Sequence, residues 1–373
     1  MVNSNFAKLL DIKNALNARY FEREKEIEAI LIALLSKQHM LMIGSPGTAK
    51  SALSADLSKI VQNMNYFQWL LTRFSTPEEL FGALSLKDLE NGVYKRNTAN
   101  KLPEAHICFL DEIFKSNSAI LNSLLTLINE RIFYNNGHPV QVPLMSVIGS
   151  SNEYPEEGEG LEALFDRFLL RFEVDYIGDD NNFISMLKGQ GQHQPLPSMT
   201  MDELINLQFF TDMVSIPDEV YQKLAEIRYE LKDEGIRPSD RRFKQSLSVL
   251  RAKALINQRQ NVLVDDIVFL ENALWETPDQ KDLTSKIVRS LAQDTVLRVL
   301  ETAENEAKEI IKNLRQAPST EASLESAKKL KTLLSELSQL EIRNPNRTLQ
   351  IQEVIDRIRI IQNEVVGGVL DPI

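Results

Sequence analysis

One cysteine, Cys108, stands alone in 373 residues. It has no partner within the chain, so a disulfide-stapled fold is excluded and a buried thiol in a reducing compartment is the expectation. Long apolar runs are missing too: no stretch approaches the about 18 uninterrupted apolar residues that a membrane-spanning helix needs. The first residues, Met1-Val2-Asn3-Ser4-Asn5-Phe6-Ala7-Lys8, carry no charged region leading into an apolar core, so no signal peptide is expected. Together these absences predict a cytoplasmic protein without a transmembrane segment. Positive charge is in deficit, with 42 Lys and Arg against 53 Asp and Glu and a net charge of −11. That argues against non-specific binding of nucleic acid or anionic membranes. What is present is ordinary for a folded chain, 43% apolar and 25% charged residues. The length allows two or three domains.

The informative stretch is Gly44-Ser45-Pro46-Gly47-Thr48-Ala49-Lys50-Ser51. It follows the apolar run Met40-Leu41-Met42-Ile43 and precedes the helix-permissive Ala52-Leu53-Ser54-Ala55-Asp56-Leu57. Strand, glycine turn, Lys-Ser and helix is the layout of a phosphate-binding loop. Its backbone N–H groups point at phosphates and the helix N-terminus adds positive potential. On this reading residues 44–51 cradle ATP, Lys50 reaches the β- and γ-phosphates and the Ser51 hydroxyl binds Mg²⁺. Ala49 departs from the pattern, which expects glycine there. About sixty residues on, Ile107-Cys108-Phe109-Leu110-Asp111-Glu112 reads as a buried strand ending in two carboxylates. Ligand sites of open α/β sheets lie at the carboxyl ends of such strands. Asp111 is therefore expected beside the loop, holding Mg²⁺ directly or through water. Glu112 is expected to polarise the attacking water as a general base.

Strand and helix signals alternate through residue 176, which predicts an α/β core with a mostly parallel sheet flanked by helices. Strands are expected at 67–71, 107–112, 144–150 and 169–174, and a helix at 119–131. Thr76 with Glu79 makes a capping-box pattern. Asn135-Asn136-Gly137 between short apolar runs predicts a β-hairpin over 132–142. The domains expected are an α/β nucleotide-binding core over 1–185, a linker over 186–208, an all-helical lid over 209–291 and a helical extension over 292–373. The extension lacks aromatics. Leu330, Leu333, Leu334, Leu337 and Leu340 form one stripe; Ile351, Val354, Ile355, Ile358 and Ile361 form another. Asn344-Pro345-Asn346 separates them, so a helical hairpin is expected, with Pro318 ending an earlier helix.

The motifs 44–51, 74–82, Phe109-Leu110-Asp111-Glu112, Ile128-Asn129-Glu130-Arg131 and Ser150-Ser151-Asn152-Glu153 together resemble the MoxR branch of the AAA+ ATPases. The nearest likeness is to the RavA subgroup, which also carries Ala-Lys-Ser in its phosphate loop. The likeness covers roughly 5–290; residues 292–373 do not resemble the RavA C-terminal region. The resemblance implies an ATP hydrolase that acts as a ring-forming, chaperone-like remodeller or activator of partner proteins, usually as a homo-hexamer. Its partners often carry von Willebrand factor A domains. It implies sensor-1 duty for Asn152 and an arginine finger at Arg167 reaching a neighbour's γ-phosphate, with Arg171 as competitor. It implies a sensor-2 contact from Arg241, with Arg242 as alternative, a weaker trans contact from Arg131, and ATP bound between core and lid. Two rival readings stay open: a nucleic-acid-dependent motor and a nucleotide-gated scaffold with little turnover. The hairpin over 132–142 has no Lys or Arg, which disfavours tracking along a phosphate backbone.

Overall fold

Both faces of the strand β1 (Met40–Ile43) are covered, which is why it is apolar at every position. Four further strands join it: β2 (Tyr66–Leu70), β3 (Ile107–Asp111), β4 (Ser146–Ser151) and β5 (Leu170–Glu173). They form one parallel sheet in the order β2-β3-β4-β1-β5. The order reverses around β1, so the carboxyl ends of β1, β3 and β4 open onto a common crevice. This computed structural model describes residues 2–155, 160–190, 195–293, 295–316, 320–344 and 347–370. The chain divides into two compact units, Met1–Leu291 and Ala292–Ile373.

Gly44 ends β1 where only glycine fits. Its N–H donates to the Ser151 carbonyl at 3.1 Å, and a β-carbon there would lie 2.0 Å from the Val174 carbonyl oxygen. The helix Lys50–Ile60 starts straight after the loop. Helix Ser118–Glu130 is capped by the Asn117 side chain, which accepts from the Ile120 N–H at 3.2 Å. It turns at Arg131 into the expected hairpin, Ile132–Asn135 with His138–Gln141, closed by Asn136 and Gly137, both at positive φ.

The stretch 186–208 is not a linker. Asp180–Leu187 is helical, Met199–Thr200 pairs in parallel with Val61–Gln62, and Met201–Met213 is a helix. The Gly-rich run 189–192 invites a loop reading, of which 191 and 192 lie outside the described residues. The helix after it is set by Thr200 and Glu203, each capping the other's N–H, and by Leu204, Leu207 and Gln208 buried on one side. Gln208 Nε2 donates to the Leu34 carbonyl at 2.8 Å, tying this helix to Glu24–Ser36. Helices Asp218–Asp233, Asp240–Ile256 and Lys281–Ala292 follow, with 3₁₀ turns between them.

Among the described residues the second unit has three helices, the expected hairpin preceded by one more: Thr295–Gln316, Thr320–Arg343 and Thr348–Leu370. Leu330, Leu333 and Leu337 meet Ile351, Val354, Ile355 and Ile358, as the two stripes predict. Val296, Leu300, Ala303 and Ala307 of the preceding helix complete the same core. Pro318, Pro345 and Asn346 lie outside the described residues.

Candidate active site

Residues 44–49 wrap the N-terminus of helix Lys50–Ile60 with two positive-φ positions, Gly47 at 84° and Ala49 at 69°. Glycine adopts this conformation freely; an L-residue bears roughly 1–2 kcal/mol for it. Ala49 thus keeps the backbone that the motif's glycine would take. Thr48 Oγ1 donates to the Ser45 carbonyl at 2.9 Å and Arg23 Nε donates to the Thr48 carbonyl at 3.2 Å. Arg23 also donates to the carbonyls of Glu22 and Asp175. It is a buried strut under the loop that motif reading missed, because a single arginine before a helix carries no signal.

Lys50 curls back over the loop, its ammonium donating to the carbonyls of Gly44 at 2.6 Å and Ser45 at 2.9 Å. It also reaches Asn152 Oδ1 at 3.3 Å. Burial, helped by the nearby Arg23 charge, holds Lys50 below the usual lysine pKa against the pull of Asp111 and Glu112. Ser51 Oγ donates to Asp111 Oδ2 at 2.9 Å. The other Asp111 oxygen accepts from the Ser150 hydroxyl and, at 3.1 Å, from the Glu112 N–H. Ser150 was invisible as a partner until the pairing of β3 with β4 brought it beside Asp111.

Glu112 leaves β3 in the left-handed region at φ 52°, which breaks the strand's in-out alternation. Its carboxylate accepts from Asn152 Nδ2 and lies 3.3 Å from the Lys115 ammonium. Five of the sequence-predicted residues therefore converge: Lys50, Ser51, Asp111, Glu112 and Asn152. A cavity of about 840 Å³ adjoins the loop, lined by Gly47, Ala49 and Ala52 and by the rings of Tyr20, Phe21 and Tyr176. Its lining comes from 19–59 and 176–186 and includes no residue of 209–291. The N-terminal helices and the segment after β5 supply its wall.

The arginines separate cleanly. Arg171 is 1% exposed, donates to the carbonyls of Phe165, Phe168 and Trp275, and stacks 4.0 Å from the Phe165 ring centre. Arg242 is 2% exposed and donates to the carbonyls of Leu169, Ala273 and Asp166. Both are committed to the interior. Arg131 likewise donates to the carbonyls of Lys37 at 2.8 Å and Met145 at 3.0 Å, so its trans role is withdrawn. Arg167, 24% exposed at its side chain, ends the helix Glu162–Arg167 and meets Asp166 at 3.3 Å. Its Nε has no hydrogen-bond partner among the described residues. Arg241, 37% exposed, shares Asp166 and donates to Asn129 Oδ1 at 3.0 Å. Arg167 and Arg241 therefore sit together on Asp166, and neither lines the cavity beside the phosphate loop.

A phosphate loop at the carboxyl edge of a 2-3-4-1-5 parallel sheet, with Ser51 on Asp111 and Asn152 on Glu112, defines a P-loop nucleotide-binding protein with a helical domain behind it. Comparison with known proteins narrows this. The profile described as the MoxR domain in the MoxR-vWA-beta-propeller ternary systems matches residues 7–209, and an AAA lid domain profile matches 219–288. Two proteins of Methanocaldococcus jannaschii, both described as uncharacterized, are similar. One is 39% identical over 83% of this chain and 79% of its own length. The other is 40% identical over 72% of each. Chaperone MoxR1 of Mycobacterium tuberculosis is 26% identical over 41% of each chain. A solved structure from Cytophaga hutchinsonii, described as a proposed ATPase, matches with TM-score 0.63 over 78% of this chain and 94% of that one. At 18% identity it speaks for the fold alone. The chain belongs to the MoxR family of AAA+ ATPases.

Proposed function

We propose that this protein hydrolyses ATP at the loop 44–51 and uses the cycle to remodel or activate a partner protein. The observation that carries the reading is the chain of contacts Lys50–Asn152–Glu112 beside Ser51–Asp111. The donor set suits Mg²⁺. One hydroxyl and one carboxylate are hard oxygen ligands 2.9 Å apart. No cluster of three or more His, Cys, Asp or Glu that could cage a metal alone occurs among the described residues. Mg²⁺ is commonly held by one or two protein oxygens plus phosphates and water. Ser51 and Asp111 would hold it, and when bound it supplies neutralisation of phosphate charge. The loop N–H groups bind the phosphates and Lys50 exchanges its Gly44 and Ser45 carbonyls for phosphate oxygens. Glu112 takes the proton of the attacking water, and Asn152 orients that water and the carboxylate.

Arg167 and Arg241 lie away from this cavity on one shared carboxylate. Arg167 is assigned to a γ-phosphate in the neighbouring subunit, where a guanidinium stabilises transition-state charge, and Arg241 to the sensor-2 contact. Catalysis in trans needs a head-to-tail interface, and such interfaces close into rings; six subunits is the family habit. The hairpin presents Tyr134 and Val140 to solvent and carries no Lys or Arg. That favours a protein over a nucleic-acid partner. The description of the matching family profile makes a von Willebrand factor A protein the first candidate. Glu112→Gln should keep ATP binding and lower phosphate release at least about 100-fold, within the range of general-base catalysis. Equal, negligible release by wild type and variant would overturn the hydrolase reading in favour of a scaffold. Mixing Lys50→Ala with Arg167→Ala subunits should restore activity that neither has alone, since one intact composite site forms. Absence of restoration in proven mixed assemblies would remove Arg167 from the trans role.

A further inference from the structure

Two residues after Glu112 stands Phe114, and two residues after Asn152 stands Tyr154. Both rings pack on Phe165, which lies two residues before Arg167. The ring centres of Phe114 and Phe165 are 6.0 Å apart, and those of Tyr154 and Phe165 are 6.3 Å apart in an edge-on arrangement. Trp275 closes the cluster from the helical domain, 5.9 Å from Phe165 and 6.4 Å from Tyr154. Arg171 stacks 4.0 Å from the Phe165 ring centre and donates to its carbonyl at 3.2 Å. Phe114, Phe165 and Trp275 are buried, while Tyr154 is partly exposed and hydrogen-bonds Glu173 through its hydroxyl. Side chains packed this closely shift together rather than independently. Glu112 and Asn152 are hydrogen-bonded to one another. A γ-phosphate or water arriving between them displaces both of their chain segments, and the two rings carry that displacement onto one helix.

We propose that Tyr154 is a positioning residue that sets Arg167 for the neighbouring subunit according to the nucleotide state of its own. The occupancy read by Glu112 and Asn152 is transmitted through Tyr154 and Phe114 to Phe165, and from there to the finger helix Glu162–Arg167. This rests on the trans assignment of Arg167. The ring, rather than the hydroxyl, is the working part, because the phenol oxygen points away to Glu173.

Mixed oligomers test it. Tyr154→Ala should lower ATP turnover about tenfold to a hundredfold, the cost of misplacing a catalytic group by about an ångström. The KM for ATP should change less than about twofold, and Tyr154→Phe should keep wild-type turnover. Adding Glu112→Gln subunits, which bind ATP without hydrolysing it and carry an intact Tyr154 and Arg167, should raise turnover per Tyr154→Ala subunit. Their fingers then serve the Tyr154→Ala sites. Tyr154→Leu, which keeps bulk without a ring, is run in parallel and should behave as Tyr154→Ala if the latter does not assemble. The Glu112→Gln and Arg167→Ala mixture is the control. If the control is restored and neither Tyr154 variant is, Tyr154 acts on its own site or on folding, and the proposal is overturned. Wild-type turnover by both Tyr154→Ala and Tyr154→Leu overturns it as well. If the control itself fails in proven mixed assemblies, the trans finger is wrong, and the coupling falls with it.

Discussion

Ala49 occupies a backbone state that suits glycine, and the surrounding loop shows what holds it there. Thr48 is tied at both ends, by its hydroxyl to Ser45 and by its carbonyl to Arg23. The helix N-terminus then begins at Lys50. Replacing Ala49 by glycine relieves the left-handed strain but frees the unfolded chain, so the net gain is smaller than the strain itself. Ala49→Gly should raise the urea midpoint by the equivalent of about 0.5–1 kcal/mol. A drop would mean that the alanine methyl packs favourably enough to outweigh its φ. The substitution to glycine also restores the common motif, so ATP affinity measured alongside tells whether the β-carbon touches phosphate. Glu112 shares the left-handed state, and here the conformation has an evident use: it swings the carboxylate out of the strand's alternation and onto Asn152.

Between elements, Asp166 is the joint of the first unit. It accepts from Arg241 and Arg242, both on helix Asp240–Ile256, and meets Arg167 on its own helix. Burial alone would raise its pKa. The Arg242 hydrogen bond and charge, then the charges of Arg241 and Arg171, outweigh that and hold it below the usual aspartate range. A carboxyl so depressed stabilises the fold in full above its unfolded pKa, near about 4, and loses that contribution as pH falls further. Asp166→Asn should therefore cost about 1–3 kcal/mol at pH 7, since Arg242 loses its counter-ion in the interior. The variant should also lose less stability than wild type between pH 5 and pH 3, the decline expected below about pH 4 being absent. Urea midpoints across that range measure both; parallel curves for the two proteins would show that Asp166 is not the titrating joint. The hairpin and the helix after Thr76 were legible as elements because their signals are local: Asn-Gly, and Thr76 with Glu79. The helix Met201–Met213 was not, because its burial against Glu24–Ser36 is made across more than 160 residues.

For the molecule as a whole, every residue assigned to ATP binding and hydrolysis lies in Met1–Leu291, while Ala292–Ile373 has a core of its own. No helix among the described residues is long and apolar enough to cross a membrane. A chain ending at residue 291 should fold and bind a fluorescent ADP analogue as the full chain does. A folded fragment that no longer binds it would mean that the C-terminal unit contributes to the site after all.

The linear motifs determined the nucleotide chemistry. Gly44 to Ser51, Asp111 and Glu112 are close in sequence to the strands and helix that present them, so local rules of loop, strand end and helix start were enough. The family resemblance named five arginines, with Arg167 preferred to Arg171, Arg241 to Arg242, and Arg131 the weaker trans candidate. Arg131, Arg171 and Arg242 have the charge and the neighbourhood of a trans residue, and only packing removes them by tying each guanidinium to backbone carbonyls. The wall of the cavity was also a tertiary decision. Tyr20 and Tyr176 are 156 positions apart and line one cavity because β5 lies next to β1. Residue type states what a side chain can do. Strand order decides which side chains are near enough to do it together, and that depends on contacts between distant parts of the chain.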